Sequence, residues 1–392
     1  MKTPQSNRPY VVIYGQTNSG KSSLFNAIVN YDAAIVSATP GTTTDPITKS
    51  MELLPFGPIV LVDTAGLNDE STLGAKRQMR TKEMLSRTDF ALYAIDFADF
   101  NEKEYENFKE LLEEQDIPHL TVFTKADLYG EKEDIPEYDN CVKMSTKNAE
   151  SVDILKEEIA KRLEAIAGKE EPLVGSLVPK GGMVVLVCPI DSEAPKGRII
   201  LPQVQTIRDC LDHGIRCMVV TPDNLAHTLK EAPKVNLVVT DAKVFKEVAE
   251  IVPQDTPLTA FSILMARQKG DIEVLIKGVK AVSALQDGAK ILIAEACTHN
   301  RTHEDIGQVK IPAMIRKITG KELHFSFACG REFPEDLSSY QLIIHCGSCM
   351  ITRKETMHRI GKAVAANVPI TNYGVLQAYG SGILDRLAQL WF

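Results

Sequence analysis

Short apolar runs alternate with amphipathic segments along almost the whole chain of 392 residues. Apolar runs of strand length predict strands that are buried on both faces. They lie at PYVVIY, PIVLVDTAG, DFALYAIDF, HLTVFTKAD, GMVVLVCPID, RCMVVTPD, VNLVVTD, AKILIAEACTH, LHFSFACG and YQLIIHCGSC. Segments with helical periodicity lie between many of these runs; KSSLFNAIVN and NEKEYENFKELLEEQ are two of them. This alternation predicts an α/β fold with mainly parallel sheets.

A stretch rich in proline and glycine, KEEPLVGSLVPKGG, separates the first group of predicted strands from the second. Such a composition, among charges, predicts a linker. We place a further boundary near Gly270. The pattern therefore predicts three α/β domains, at residues 1–170, 178–268 and 270–392.

Charge and composition exclude several classes of protein. The formal net charge of −8 argues against a chain that coats nucleic acid. No segment approaches the ~20 apolar residues of a membrane span, and MKTPQSNRPYVV lacks the apolar core of a signal peptide. We therefore expect a cytoplasmic protein with no membrane or nucleic-acid partner. Its eight cysteines are then expected to bind metal or do redox work more often than to form disulfides.

The stretch GQTNSGKS, from Gly15 to Ser22, fits the phosphate-binding pattern GxxxxGK[ST] between a predicted strand and a predicted helix. Its glycines allow backbone N–H groups to surround phosphates at a helix N-terminus. Lys21 is expected to reach the β- and γ-phosphates, and the Ser22 hydroxyl to bind Mg²⁺. The predicted phosphate-binding residues are Gly15, Asn18, Ser19, Gly20, Lys21, Ser22 and Ser23.

Two later motifs also end predicted strands. Asp63 begins DTAG, so we expect Asp63 to hold a Mg²⁺-bound water and the Gly66 N–H to contact the γ-phosphate. Thr124 begins TKAD, in which Asp127 can accept hydrogen bonds from guanine N1–H and N2–H₂. Adenine lacks this donor pair and would leave the carboxylate unpaired. The motifs together predict a GTPase.

Two loops complete the predicted nucleotide site. The loop PGTTTD is expected to be switch I, with Thr43 as a Mg²⁺ ligand and catalytic residue alongside Lys21, Asp63 and Gly66. The loop STK, after VKM, resembles the last base-contacting loop of GTPases. The predicted base-binding residues are Thr124, Lys125, Asp127, Ser145 and Thr146.

Over residues 8–168 these motifs resemble translation-factor-related GTPases of the TrmE/Era type, which include tRNA-modifying and ribosome-assembly GTPases. That group has an apolar residue after DTAG in place of a catalytic glutamine, and Leu67 matches. Its asparagine at the fourth P-loop position helps to hold K⁺, and Asn18 matches. The resemblance implies slow, K⁺-stimulated GTP hydrolysis. Thr124 stands where the group usually has asparagine, a departure that is expected to weaken base binding.

Cysteines and histidines cluster at two predicted strand ends in the last third of the chain. Cys297 and His299 form CTH; after 45 further residues His345, Cys346 and Cys349 form HCGSC. Zn²⁺ could take the three cysteines and one histidine. A [4Fe–4S] cluster could take the three thiolates and leave one iron for an exchangeable ligand. A redox dithiol would need only the CxxC pair, and plain buried cysteines are the remaining interpretation.

Three cysteines rather than four favour an accessible cluster over a closed zinc site. The fourth iron could then be held by His299, by His345, by water or by a carboxylate. Asp191, at the end of another predicted strand, is one such carboxylate.

A potassium-type GTPase head, an α/β middle and a CxH…HCxxC tail together resemble the [FeFe]-hydrogenase H-cluster maturation GTPases, the HydF family. The resemblance covers the whole chain, and the signature cysteines and histidines all match. It implies that the three predicted domains are a P-loop GTPase domain, a small dimerisation domain and an iron–sulfur cluster-binding domain.

The resemblance also implies a function. The chain is expected to be a GTP-hydrolysing scaffold that binds a [4Fe–4S] cluster and delivers a transient di-iron subcluster precursor to apo-[FeFe]-hydrogenase. Two radical-SAM maturases are the other implied partners, and a homodimer is the implied assembly. The implied cofactors are GTP or GDP, Mg²⁺, K⁺ and the cluster. The alternative is a zinc-bearing GTPase that acts in tRNA modification or ribosome assembly.

Overall fold

The computed structural model of the chain describes residues 8–30, 46–64, 83–128, 140–167, 171–190, 197–232, 234–296, 306–330, 333–348 and 350–391. The chain divides into two compact units, Met1–Lys169 and Glu170–Phe392. The described residues form three sheets, in which parallel pairing dominates, so the predicted α/β class is confirmed. Among the described helices there is none with the length and apolar character to cross a membrane.

The first unit is built on a six-stranded sheet within its described residues, in the order β2-β3-β1-β4-β5-β6. Its strands are β1 (Tyr10–Gly15), β2 (Ile47–Leu53), β3 (Gly57–Asp63), β4 (Phe90–Asp96), β5 (His119–Thr124) and β6 (Cys141–Lys143). Its helices are α1 (Lys21–Asn30), α2 (Glu102–Glu114) and α3 (Ala149–Ala167).

Strand β1 shows why this sheet is covered on both faces. Side chains alternate along a strand, so Val11 and Ile13 join a core with α1 and α3, whereas Val12 and Tyr14 join a second core with α2. Strand β2 is the exception, since it pairs antiparallel with β3 and is largely exposed. The carboxyl ends of the parallel strands β1, β3, β4 and β5 meet at one edge, where ligands of such sheets bind.

The second unit contains two four-stranded sheets within its described residues, in the orders β10-β9-β7-β8 and β12-β11-β13-β14. The strands of the first are β7 (Met183–Val187), β8 (Arg216–Val220), β9 (Leu237–Thr240) and β10 (Leu258–Ala260). Those of the second are β11 (Lys290–Glu295), β12 (His324–Cys329), β13 (Leu342–His345) and β14 (Ile370–Asn372). Every pair is parallel.

Helices connect these strands and pack their apolar residues against the two sheets. They are α4 (Leu201–Asp212), α5 (Pro222–Glu231), α6 (Phe245–Ile251), α7 (Phe261–Lys269), α8 (Ile272–Val279), α9 (Ile311–Thr319), α10 (Arg353–Ala365), α11 (Tyr373–Gly380) and α12 (Leu384–Ala388). One continuous core includes Val185 of the first sheet, Ile263 of α7 and Ile293 of the second sheet. The second unit therefore brings α7 within reach of the carboxyl end of β13.

Candidate functional site

The phosphate-binding loop joins β1 to α1 through residues with left-handed backbones. Gly15 has φ +144°, and a Cβ atom there would lie 2.2 Å from the Ala94 carbonyl oxygen of β4. Asn18 and Gly20 also have positive φ, at 63° and 88°. A loop with this alternation turns its backbone N–H groups inward, as an anion-binding loop requires. Ser19 is buried there, and Ser22 and Ser23 lie exposed in the first turn of α1.

Lys21 lies buried within this loop. Its ammonium donates a hydrogen bond to the Gly15 carbonyl at 2.9 Å and another to the Gln16 carbonyl. These bonds hold the charge over the concave side of the loop, where a phosphate chain would displace them.

Thr124 ties the predicted base-binding motif to the phosphate loop. Its hydroxyl lies 2.7 Å from the Ser19 carbonyl and 3.1 Å from the Ile95 carbonyl. Lys125, with φ 59°, adds a second tie: its ammonium donates to the Asn18 carbonyl at 3.0 Å and pairs with Asp96 at 2.6 Å. Thr124 thus has a structural role that the sequence analysis did not predict.

The carboxylate of Asp127, which is predicted to bind the guanine base, is held by two side chains. The Ser145 hydroxyl donates to it at 2.8 Å and the Lys147 ammonium at 2.7 Å. These bonds, that of Lys147 first, hold the pKa of Asp127 below its ordinary value, so it is ionised at pH 7. Ser145 is buried and Thr146 half-buried in the loop that follows β6.

The described part of the predicted magnesium site lies between β1 and β3. Asp63 is buried at the end of β3, opposite Ile13 of β1. The next residue, Thr64, donates its hydroxyl to the Ile13 carbonyl at 2.6 Å and so fixes where DTAG leaves the sheet. A buried carboxylate at the same sheet edge as the Ser22 hydroxyl provides the oxygen ligands that Mg²⁺ prefers.

Several predicted site residues lie outside the described residues. They are Thr43, Gly66, Asp191, Cys297, His299 and Cys349. Among the described residues there is no group of three or more metal-ligating side chains. The described part of the predicted thiol site therefore consists of His345 and Cys346.

Cys346 lies buried directly after β13, which pairs with β11, the strand that leads to CTH. Its sulfur accepts a hydrogen bond from the Ala296 N–H at 3.1 Å, and its own N–H donates to the Ala294 carbonyl at 2.9 Å. Cys297 is the residue that follows Ala296 in the chain. An N–H aimed at sulfur stabilises the thiolate form, which is the form that binds metal.

A side-chain hydrogen bond holds Glu295, the last residue of β11, which directly precedes Ala296. The Tyr373 hydroxyl donates to the Glu295 carboxylate at 3.1 Å. Gly307, in a π-helical turn at Ile306–Lys310, packs against this pair. A Cβ atom at Gly307 would lie 2.2 Å from the Tyr373 hydroxyl oxygen and 2.5 Å from the Glu295 carboxylate, so one of these side chains would have to move to accommodate any other residue.

His345 is buried, and both of its ring nitrogens are bonded within the protein. Nε2 lies 3.2 Å from the Arg359 guanidinium, which can only donate, so Nε2 accepts and Nδ1 carries the hydrogen. Nδ1–H then points to the Cys346 carbonyl at 2.9 Å and the Ser348 hydroxyl at 3.2 Å. Burial first, and then the charge of Arg359, lowers the pKa of His345 to about 4. In this arrangement His345 braces the Cys346 turn and has no lone pair left for a metal.

Arg359 is the buried centre of this network. It also donates to the Glu355 carboxylate and to the Gly330 carbonyl, each at 3.0 Å, and lies over the ring of Phe333. It thereby joins α10 to the ends of β12 and β13. In the sequence, Glu355 and Arg359 are four residues apart, a spacing that predicts an ion pair on one face of a helix. The same spacing is found in exposed ion pairs, so it could not predict that Arg359 is buried.

Three family models match the chain, each over a different region. "Hydrogen maturase F dimerization domain" matches residues 173–270 and "Hydrogen maturase F tetramerization domain" matches residues 273–390. "50S ribosome-binding GTPase" matches residues 10–125. The chain belongs to the hydrogen maturase F family. The expected resemblance is confirmed, the first unit of this maturase carries a P-loop GTPase domain, and the matched domains support oligomerization.

Curated relatives match this maturase through its GTPase region. The tRNA modification GTPase MnmE of Chromobacterium violaceum is 38% identical over 160 residues, 40% of this chain and 34% of the relative. GTPase Der of Kosmotoga olearia is 35% identical over 127 residues, 31% of this chain and 28% of the relative. The chain thus spans about a third of the length of these relatives.

Among solved structures, the maturase is similar to Era in complex with MgGDPNP and a segment of 16S ribosomal RNA. The sequences are 19% identical, with a TM-score of 0.33 over 54% of this chain and 93% of that one.

Proposed function

We propose that the first unit binds GTP with Mg²⁺ and hydrolyses it. Lys21 would bind the β- and γ-phosphates, Ser22, Thr43 and Asp63 would surround Mg²⁺, and Gly66 would contact the γ-phosphate. Asn18 would help to hold K⁺. Two observations support this proposal. Lys21 lies inside the phosphate loop, and the pKa of Asp127, the predicted base-binding residue, is lowered so that its carboxylate is ionised. The curated relatives carry GTPase in their names.

We propose further that Cys297, Cys346 and Cys349 hold a [4Fe–4S] cluster. The observation that carries this proposal is the hydrogen bond from Ala296 N–H to the Cys346 sulfur. This bond joins the residue just before CTH to the first cysteine of HCGSC. Three thiolates leave one iron of such a cluster without a cysteine. We assign that position to His299, Asp191 or water rather than to His345, since both nitrogens of His345 are already bonded.

As a member of the hydrogen maturase F family, the chain would act as a scaffold. It would receive a di-iron precursor from two radical-SAM maturases and deliver it to apo-[FeFe]-hydrogenase in the cytoplasm. GTP hydrolysis would govern exchange of partners rather than the iron chemistry. The alternative is a zinc-bearing GTPase that acts in tRNA modification or ribosome assembly. It is supported by the GTPase region alone.

Anaerobic purification of the full chain tests the cluster. We expect brown protein with broad absorbance near ~400 nm and about four iron and four sulfide per chain. Cys346→Ala is expected to lose this absorbance, whereas Cys329→Ala, at the neighbouring end of β12, should keep it. A colourless protein with one tightly bound zinc would instead support the alternative. Delivery is then tested by mixing loaded chain with apo-hydrogenase and measuring hydrogen evolution.

We propose a homodimer formed through β8. This strand is the edge of its sheet among the described residues, with Met218 38% and Val219 45% exposed. An exposed apolar edge strand is a template for pairing with another chain, and it lies in the region matched as a dimerization domain. Sedimentation analysis of Val219→Lys tests this: we expect a smaller assembly than that of the unmodified chain, whereas Lys246→Glu on α6, the control, should leave the assembly unchanged.

A further inference from the structure

The first and last residues of TKAD present very different surfaces to a ligand. Thr124 is 1% exposed, whereas the side chain of Asp127 is 30% exposed. A Cβ atom at Gly20 of the phosphate loop would lie 3.1 Å from the Thr124 hydroxyl oxygen and 3.6 Å from its methyl carbon, so the loop covers this side chain. The Asp127 carboxylate is therefore the accessible group of the two.

The hydrogen of the Thr124 hydroxyl is already used inside the protein. A threonine hydroxyl has one hydrogen to donate. Its oxygen lies 2.7 Å from the Ser19 carbonyl and 3.1 Å from the Ile95 carbonyl, and both of these groups can only accept. One hydrogen therefore serves two acceptors, and none is left for a bound base.

The two middle residues of TKAD are also bonded within the protein. The Lys125 ammonium donates to the Asn18 carbonyl at 3.0 Å and pairs with Asp96 at 2.6 Å. The Ala126 N–H donates to the Met144 carbonyl at 3.1 Å. These bonds tie the motif to the phosphate loop and to the segment after β6.

Asp127 keeps the capacity to bind a base. Ser145 and Lys147 donate to different oxygens of its carboxylate, at 2.8 and 2.7 Å. A carboxylate has roughly four lone-pair sites, so each oxygen can accept once more. The N1–H and N2–H₂ groups of guanine are donors that suit these sites.

Guanine also has an imidazole edge, on which N7 is an acceptor. A side-chain amide in place of Thr124 would have two N–H hydrogens, one for a carbonyl of the phosphate loop and one for N7. Threonine has a single hydrogen, which the loop takes. The side chain that begins TKAD therefore has no donor for N7.

We propose that Thr124 makes the nucleotide site select guanine by its N1 and N2 groups and not by N7. A guanine nucleotide that lacks the N7 acceptor is then bound as well as GDP. That the base lies at Asp127 rests on the proposed function; the hydrogen bonds of Thr124 do not.

Two nucleotide analogues test this proposal with the full chain and Mg²⁺. The analogue 7-deaza-GDP has a C–H group in place of N7 and keeps the N1 and N2 donors, whereas IDP keeps N7 and lacks the N2 amino group. Calorimetry should give Kd values for GDP and 7-deaza-GDP within about twofold of each other, because no hydrogen bond is lost. IDP should bind about 10- to 100-fold more weakly, since it loses a hydrogen bond to a charged group.

Substitution at position 124 assigns the effect to this residue. Thr124→Asn supplies the second donor, and its amide nitrogen reaches one bond farther than the threonine hydroxyl. A hydrogen bond between neutral groups changes affinity by about 2- to 10-fold, so this variant should prefer GDP over 7-deaza-GDP by that factor. Thr124→Ser keeps a single hydroxyl hydrogen and is the matched control, in which the two nucleotides should bind equally.

The outcomes separate this inference from the proposed base position. Weakening of more than about twofold on replacing GDP by 7-deaza-GDP in the unmodified chain overturns the inference, because N7 is then bound. Equal binding of the two nucleotides by Thr124→Asn overturns the role of Thr124. If Thr124→Asn binds no GDP, the unmodified chain and Thr124→Ser still decide whether N7 is bound. Equal binding of GDP and IDP refutes the proposed role of Asp127, while the comparison with 7-deaza-GDP keeps its meaning for N7.

Discussion

The phosphate loop and the Cys346 turn hold their key groups by different means. In the loop, Lys21, Thr124 and Lys125 all bind main-chain carbonyls of neighbouring segments. At the turn, Arg359 and His345 act through a network that includes buried side-chain pairs. A site built on the backbone can release its side chains to a ligand and take them back. A site that depends on a few buried charged residues keeps its geometry only while all of them are present. One substitution among them is therefore expected to disrupt the whole site.

The largest effect is expected for Arg359→Met, which leaves Glu355 buried without its guanidinium. Breaking a buried pair in this way costs about 3–5 kcal/mol in the free energy of unfolding. Trp391, the sole tryptophan in the sequence, packs in the second unit, so its fluorescence in urea reports that unit. The matched control is Arg208→Met, since Arg208 and Asp212 form the same i,i+4 pair on an exposed helix face. Equal losses in both variants would contradict the comparison.

The second prediction concerns Lys21→Ala. Removing a buried ammonium from the phosphate site should cost about 2–4 kcal/mol in GTP binding, with loss of hydrolysis. Affinity is measured with a fluorescent GTP analogue. If the two sites are built independently, iron content should not change in Lys21→Ala, and GTP affinity should not change in Cys346→Ala. A change in iron content would show that the sites are coupled.

The third prediction is Thr124→Val, which keeps the shape of the side chain and removes its hydroxyl. The carbonyls of Ser19 and Ile95 then lose a buried donor, which costs about 1–3 kcal/mol. We expect GDP affinity to fall by about tenfold, measured by calorimetry. Thr124→Ser retains the hydroxyl and serves as the control. Unchanged affinity in the valine variant would mean that the bridge does not support the loop.

The smallest effect is a shift in pH dependence. In the proposed site the ionised form of Asp127 would accept the guanine N–H groups, and its pKa is lowered chiefly by Lys147. GDP affinity should therefore persist as pH falls to the ordinary carboxyl pKa, about 4, and be lost below it. In Lys147→Met the pKa rises, so the loss begins at higher pH; Lys143→Met is the control. Identical pH profiles of the two variants would exclude this role of Lys147.

Strands with two buried faces could be predicted, and β1, β3, β4 and β5 lie where their apolar runs indicated. Strand β2 was missed because ITKSMEL lies at an exposed edge and contains few apolar residues. Strands β10 and β14 were missed because three residues are too few to show a period.

The motif residues could be predicted because phosphate and thiol chemistry restrict residue type and spacing. Lys269, Arg359 and Asn372 could not, since a charged residue or asparagine in a helical or turn pattern usually faces water. Their burial depends on the contact of α7 and α10 with the end of β13, which is tertiary information. Sequence reasoning therefore found candidate ligands and missed the groups that surround Cys346.

Gly307 has a consequence for how this family can be sorted. A side chain there would move the Tyr373 hydroxyl or the Glu295 carboxylate and so disturb the bond between them, beside the strand end that leads to CTH. A library randomised at position 307 and selected for iron retention should be enriched in glycine, while selection for GTP cleavage should accept many residues. Among related chains, glycine at position 307 would then be most frequent in those that have kept the proposed cluster site.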